Sequence, residues 1–129
     1  MNSNEQANCP LISFFEIPAI DFNRAVTFYE TLFSFRIDRC DCGEEKMGFF
    51  PDNGSGLRGA ISLSNGFNPS SDGVLVHFAT DRIDWIVQHV EAGGGKIILP
   101  KTAIEAEGQG CFALILDSEG NRIGIHQPE

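Results

Sequence analysis

A chain of 129 residues is one compact domain, or two very small halves that share a core. Its 42% hydrophobic content suits a globular protein and excludes a disordered one. A formal net charge of −9 excludes sequence-independent nucleic-acid binding, which needs a positive surface, and no apolar run approaches the roughly 20 residues of a membrane-spanning helix.

Residues 1–10 are polar, with neither a cationic flank nor an apolar stretch, and are expected to be a disordered N-terminus rather than a secretion signal. A cytoplasmic location follows as an expectation, and with it four reduced thiols at Cys9, Cys40, Cys42 and Cys111. Residues 14–18 form a short apolar run that ends at Pro18. Asp21 then stands ready to cap a helix by accepting backbone N–H bonds from its first turn. Phe22, Ala25, Val26, Tyr29, Leu32 and Phe33 recur at helical spacing and give that helix one apolar face. Residues 35–40 alternate apolar and polar, as a strand with one wet face does. A turn at 41–45 follows, then a strand at 46–50 stopped by Pro51 and its neighbours, then a strand at 58–64. The polar stretch between Gly66 and Gly73 is the best internal boundary.

The second half repeats this grammar. Residues 74–80 are β-branched and aromatic, Asp81 is the expected cap, and Ile83, Ile86, Val87 and Val90 make the helical stripe. Gly93, Gly94 and Gly95 mark its stop. A short strand at 96–99 ends at Pro100, a loop spans 102–110, and strands at 111–116 and 122–126 flank a hairpin turn at 117–121. The class is therefore α+β, with two βαβββ repeats, at 11–66 and 74–129, joined by a linker at 67–73 within a single domain. Each half is a small curled mixed sheet with a helix on one face. Two such sheets side by side make an open cup, a shape that favours ligands.

Three local motifs carry a resemblance. They are Asp21-Phe22-Asn23-Arg24-Ala25 leading to Phe28-Tyr29-Glu30, Val90-Glu91-Ala92-Gly93-Gly94-Gly95-Lys96, and Asp117-Ser118-Glu119-Gly120-Asn121-Arg122-Ile123. In this order they resemble the vicinal oxygen chelate superfamily, the group of glyoxalase I, bleomycin-resistance proteins and extradiol dioxygenases. The last is similar to that group's D-P-x-G-N-x-[I/L] hairpin, with Ser118 in place of the proline. The resemblance runs from about Leu11 to His126 and is specific for the fold but not for the reaction, because that fold hosts several chemistries.

In metal-dependent members, the resemblance implies four side chains on the first and last strands of each repeat as ligands of a divalent ion. Here those positions fall on Phe14, Ser62, Leu75 and Gly124, none of which is a plausible ligand. Two residues further along the strands, and so on the same faces, stand Glu16, His77, His126 and, fourth, Ser64. Two imidazoles and a carboxylate suit iron, zinc, manganese or nickel. Without metal, a Glu16–His77 pair suits general-base work, and Arg24, Arg58 and Arg122 are the candidate cations beside it. Phe14-Phe15 and Phe49-Phe50 each place one ring towards the helix and its neighbour into the cup, where Phe14 and Phe49 favour a flat or apolar ligand. His89 is expected on the polar side of its helix.

The expectation is a glyoxalase/bleomycin-resistance-like protein that binds a small, partly apolar ligand in the cup without the usual metal or any other cofactor. Glu16 and His77 are the candidate catalytic pair; Phe14, Phe49, Ser62, Ser64, Leu75, Gly124 and His126 are the candidate ligand contacts. The alternative is a divalent-metal-dependent lyase, isomerase or dioxygenase of glyoxalase type that uses Glu16, His77 and His126. A purely structural protein–protein module is a third reading. The resemblance also implies a homodimer, and no nucleic-acid or membrane partner is expected.

Overall fold

The computed structural model describes residues 11–52, 54 and 57–129, and only the backbone of Cys42. The first half contributes β1 (Phe14–Pro18), α1 (Phe22–Phe33), β2 (Asp38–Cys42), β3 (Glu45–Phe49) and β4 (Arg58–Leu63). The second contributes β5 (His77–Ala79), α2 (Ile83–His89), β6 (Lys96–Ala103), β7 (Cys111–Leu116) and β8 (Arg122–Gln127). Each half builds its own four-stranded sheet, in the orders β1-β4-β3-β2 and β5-β8-β7-β6. In both, the leading strand runs parallel to the last strand and the other pairs are antiparallel. The two βαβββ units thus share one topology.

Helix α1 begins where the sequence places it. Asp21 is extended at the N-cap and its carboxylate accepts from Arg24 N, a contact of a kind that contributes about 1 kcal/mol. The helix buries Phe22, Ala25, Val26, Phe28, Tyr29 and Leu32. It ends at Ser34, which takes a left-handed conformation with φ 57° and donates its N–H to Glu30 O. Gly48 of β3 allows the helix to sit close, since a Cβ there would meet Ile37, Phe22 and Val26.

Four features differ from the sequence reading. Residues 35–37 lie outside any strand, because Ile37 N is taken by the Glu30 carboxylate and Phe35 stacks on Phe33. Asp81 is not the cap of α2. Arg82 holds that position without a side-chain cap bond, while Thr80 Oγ1 accepts from Arg82 N and the Gln127 side chain accepts from Ile83 N. The first strand of the second half is only three residues long, although Val76 O still accepts from Gly124 N. Pro100 does not end β6, which continues to Ala103 with two register shifts. As an edge strand, β6 can turn a residue without an N–H outward.

The two halves meet through aromatic rings. Phe78 of β5 lies 5.1 Å from Phe33, 5.4 Å from Phe50, 5.5 Å from Tyr29 and 6.0 Å from Phe15, centroid to centroid. Pairs of this kind add about 0.5–1.5 kcal/mol each beyond their buried area. Gly59 packs against this cluster, since a Cβ there would collide with the Phe15 ring. Of the cysteines, Cys111 is a free thiol and Cys40 is exposed; Cys9 and the Cys42 side chain lie outside the described residues, as does the expected disordered terminus at 1–10.

Candidate functional site

Strand parity sorts the sheet residues onto two faces. On the first sheet the register Phe14↔Arg58, Glu16↔Ala60 and Pro18↔Ser62 joins Met47↔Ser62 and Phe49↔Ala60. Phe14, Glu16, Ser62, Met47, Phe49 and Arg58 therefore share the face turned away from α1. Phe15 and Phe50 stack on the helix side, with centroids 5.8 Å apart, while Phe14 and Phe49 lie 6.2 Å apart on the other. On the second sheet, His77, Gly124 and Leu114 form one row and Ala79, His126 and Phe112 the next, again away from the helix.

The carboxylate of Glu16 accepts a 2.7 Å hydrogen bond from the Ser62 hydroxyl. Ser62 is buried, with 3% of its surface exposed. So one candidate acid and one vacated ligand position are in direct contact. Glu16 lines a cavity of about 370 Å³ between the outer edge of β1, the connection from Phe67 to Val76, and the start of β8. Phe15, Phe67, Val76 and Ile123 supply its apolar wall; Asn121 and Arg122 supply polar groups.

The other candidates lie elsewhere. His77 and His126 line a second cavity of about 450 Å³ with Ile104 and Phe112. His126 Nε2 is 2.8 Å from Gln109 O. The His77 ring lies over Gly124, where any side chain would collide with it. His77 and Leu75 also border a third, wider cavity of about 760 Å³ with Phe35, Phe50, Leu57 and Phe78. Ser64 sits past the end of β4, in an isolated bridge with Phe67. The structure therefore joins Glu16 to Ser62, and places His77 and His126 on one cavity that Glu16 does not line. His89 is half-buried rather than fully exposed, stacked 4.0 Å from Trp85 with Nδ1 2.7 Å from Trp85 O.

Residues at the positions that the resemblance assigns to a metal do not fit a divalent ion. Phe14 and Leu75 have no donor atoms, Gly124 has no side chain, and Ser62 is spent on Glu16. Among the described residues, no group of three His, Cys, Asp or Glu side chains is arranged to hold a metal.

The three candidate cations have different fates. Arg24 does not pair along its own helix. Its Nε donates to Glu119 Oε2 at 2.7 Å, across the molecule. Arg58 lies 3.6 Å from Asp38, donates to Phe50 O and sits 5.0 Å over the Phe49 ring. Arg122 alone of the three borders the cavity beside Glu16.

Sequence reasoning read residues 117–121 as a turn and missed what they hold. Glu119 is buried and accepts from Ile20 N at 2.8 Å, Asp21 N at 2.7 Å, and Arg24. Burial pushes its carboxyl up, but the Arg24 guanidinium, the two backbone N–H groups and the Ser118 hydroxyl outweigh this and hold it below the ordinary value. A carboxylate in a tight turn, with an arginine in the first turn of the helix of the other half, was the available signal.

Comparison with known proteins confirms the architecture. No family model and no curated protein matches the sequence. Solved structures do. A glyoxalase/bleomycin resistance protein from Albidiferax ferrireducens T118 superposes with a TM-score of 0.69 at 16% identity, over 92% of this chain and 98% of that one. The fosfomycin resistance protein FosX from Listeria monocytogenes gives 0.61 at 15%, over 92% and 90%. A mutant glyoxalase I from Zea mays gives 0.65 at 17%, over 92% of this chain and 46% of that longer one. The chain has the βαβββ-repeat fold of the vicinal oxygen chelate superfamily.

Proposed function

We propose that this chain is a small-molecule-binding protein of the glyoxalase/bleomycin-resistance kind, which takes a small, partly apolar ligand without a family-type metal. The observation that carries this is the cavity beside β1, where an apolar wall meets Glu16, whose carboxylate is held by Ser62. Its volume of about 370 Å³ falls in the range of small-ligand pockets. Neighbours of the same fold include proteins named for bleomycin and fosfomycin resistance, which supports binding of small molecules as the general role. The side chains at the four metal positions favour this reading over the divalent-metal enzyme built on Glu16, His77 and His126, whose members line different cavities. In this reading Glu16 orients a ligand through its carboxylate.

The test is a fluorescence titration of chelator-treated protein with 2-naphthamide, a neutral aromatic probe. The expected result is one saturable site, abolished by filling the cavity with Val76→Trp. Absence of saturable binding sinks the reading. Binding that requires added zinc, iron, manganese or nickel transfers it to the metal-dependent alternative.

We further propose a cytoplasmic homodimer. No helix among the described residues is long and apolar enough to cross a membrane. Ile12, Phe14, Leu57, Val74 and Leu75 expose between 38% and 92% of their surface, and Ile12, Leu57, Val74 and Leu75 border the wide third cavity; an apolar cluster of this kind marks a contact surface. Light scattering after size exclusion is expected to give twice the chain mass, reduced to one chain mass by Leu75→Asp; a monomer for the unaltered protein refutes the pairing.

A further inference from the structure

We infer that Arg122 is an anion anchor, and that the ligand of the β1 cavity carries a carboxylate on its apolar body. This rests on the binding reading above and adds the chemical class of the ligand. Three arginines are half-buried, Arg58, Arg82 and Arg122. Arg58 is engaged with Asp38, Phe50 O and the Phe49 ring. Arg82 donates to Leu32 O and Ser34 Oγ and lies 4.3 Å over Trp85. The Arg122 Nε is buried from solvent and has no hydrogen-bond partner, the one side-chain nitrogen or oxygen in that condition among the described residues.

An unmet buried donor is costly, and most of all on a charged group. Guanidinium cannot escape by losing its proton. The neighbourhood also withholds the obvious partner. Glu16 borders the same cavity, but its carboxylate bonds Ser62, and the ion pairs of the described residues are Arg24–Glu119, Arg58–Asp38 and Lys101–Asp84. Backbone fixes the arginine in place: its N–H donates to Ser70 O, and Asn121 beside it is held by Ser70 N and Pro18 O. A planar carboxylate matches the guanidinium fork with two parallel N–H bonds. Phe15, Phe67, Val76 and Ile123 would then hold the remainder. With a net charge of −9 on the chain, long-range attraction does not bring an anion in, so recognition is local to Arg122.

The experiment compares 2-naphthoate with 2-naphthamide, two fluorescent probes of the same shape that differ in charge. The unaltered protein is expected to bind naphthoate about tenfold more tightly, a difference of about 1.4 kcal/mol. Arg122→Gln is expected to remove that preference, so that the two probes bind alike, with circular dichroism confirming the fold. Glu16→Gln tests the same field without touching the arginine: it removes a like charge, so the preference for naphthoate over the amide is expected to widen. If the amide binds and naphthoate gains nothing over it, or if Arg122→Gln or Glu16→Gln leaves the preference for naphthoate unchanged, the anchor is refuted and the binding reading stands. If neither probe binds, the binding reading itself falls.

Discussion

Tyr29 is fully buried, and its hydroxyl donates to Asp117 Oδ2 at 2.5 Å. Asp117 is itself buried, and its other oxygen accepts from Glu119 N and Asn121 N. Ionising the tyrosine would bury a second negative charge next to the first. Burial, and after it the Asp117 carboxylate, accordingly push the phenol well above its ordinary value. The sign follows from linkage: the folded state holds this proton more tightly than the unfolded chain, so the contribution is complete below the unfolded value of about 10 and is lost as pH rises above it. The chain has a single tyrosine, so absorbance reads it directly. Tyrosinate is expected to appear only together with alkaline unfolding; tyrosinate near pH 10 in a protein with native circular dichroism would refute the burial argument. Tyr29→Phe is expected to cost about 1.5 kcal/mol at neutral pH, the scale of a hydrogen bond to a charged group, and the gap measured by urea denaturation should shrink above pH 10.

At the scale of elements, what could be read from sequence was local. Helix α1 was legible because Asp21 and the stripe from Phe22 to Leu32 are properties of adjacent residues. The alternation of faces was legible for the same reason, and it correctly separated Phe14 and Phe49 from Phe15 and Phe50. Misread elements depended on distant neighbours. Pro100 stays within a strand because β6 is an edge. Asp81 yields to Thr80 and to Gln127, which arrives from the far end of the chain. The site divides in the same way. Glu16 and Ser62 meet because β1 and β4 pair in parallel. That His77 faces a cavity with Phe112 and His126, and not with Glu16, depends on how one sheet is set against the other, and no spacing in the sequence encodes that. Arg122 was named as a cation, but only the packing around it distinguishes it from Arg24 and Arg58.

For the whole molecule, the hairpin between β7 and β8 is a clasp between the halves. Asn121 Nδ2 donates to Pro18 O at 2.8 Å and to Asp117 Oδ2 at 3.0 Å, and Asn121 Oδ1 accepts from Ser70 N at 3.1 Å. Glu119 binds the start of α1 and Asp117 its middle, through Tyr29. One turn of the second half therefore holds β1, α1 and the connecting segment. Halves of about 60 residues are only marginally stable alone, so the clasp and the Phe78 cluster should make unfolding a single event. The chain provides its own reporters, with its one tyrosine in the first half and its one tryptophan, Trp85, in the second. Tyrosine near-ultraviolet dichroism and tryptophan fluorescence are expected to give coincident urea transitions. Asn121→Ala leaves Pro18 O and Ser70 N short of partners in a half-buried setting, and is expected to lower both transitions together by about 2 kcal/mol, near 1 for each group left unmet. A variant in which the tyrosine signal falls before the tryptophan signal would mean that the clasp joins two independently stable sheets, and the shared-core account of this fold would have to be given up.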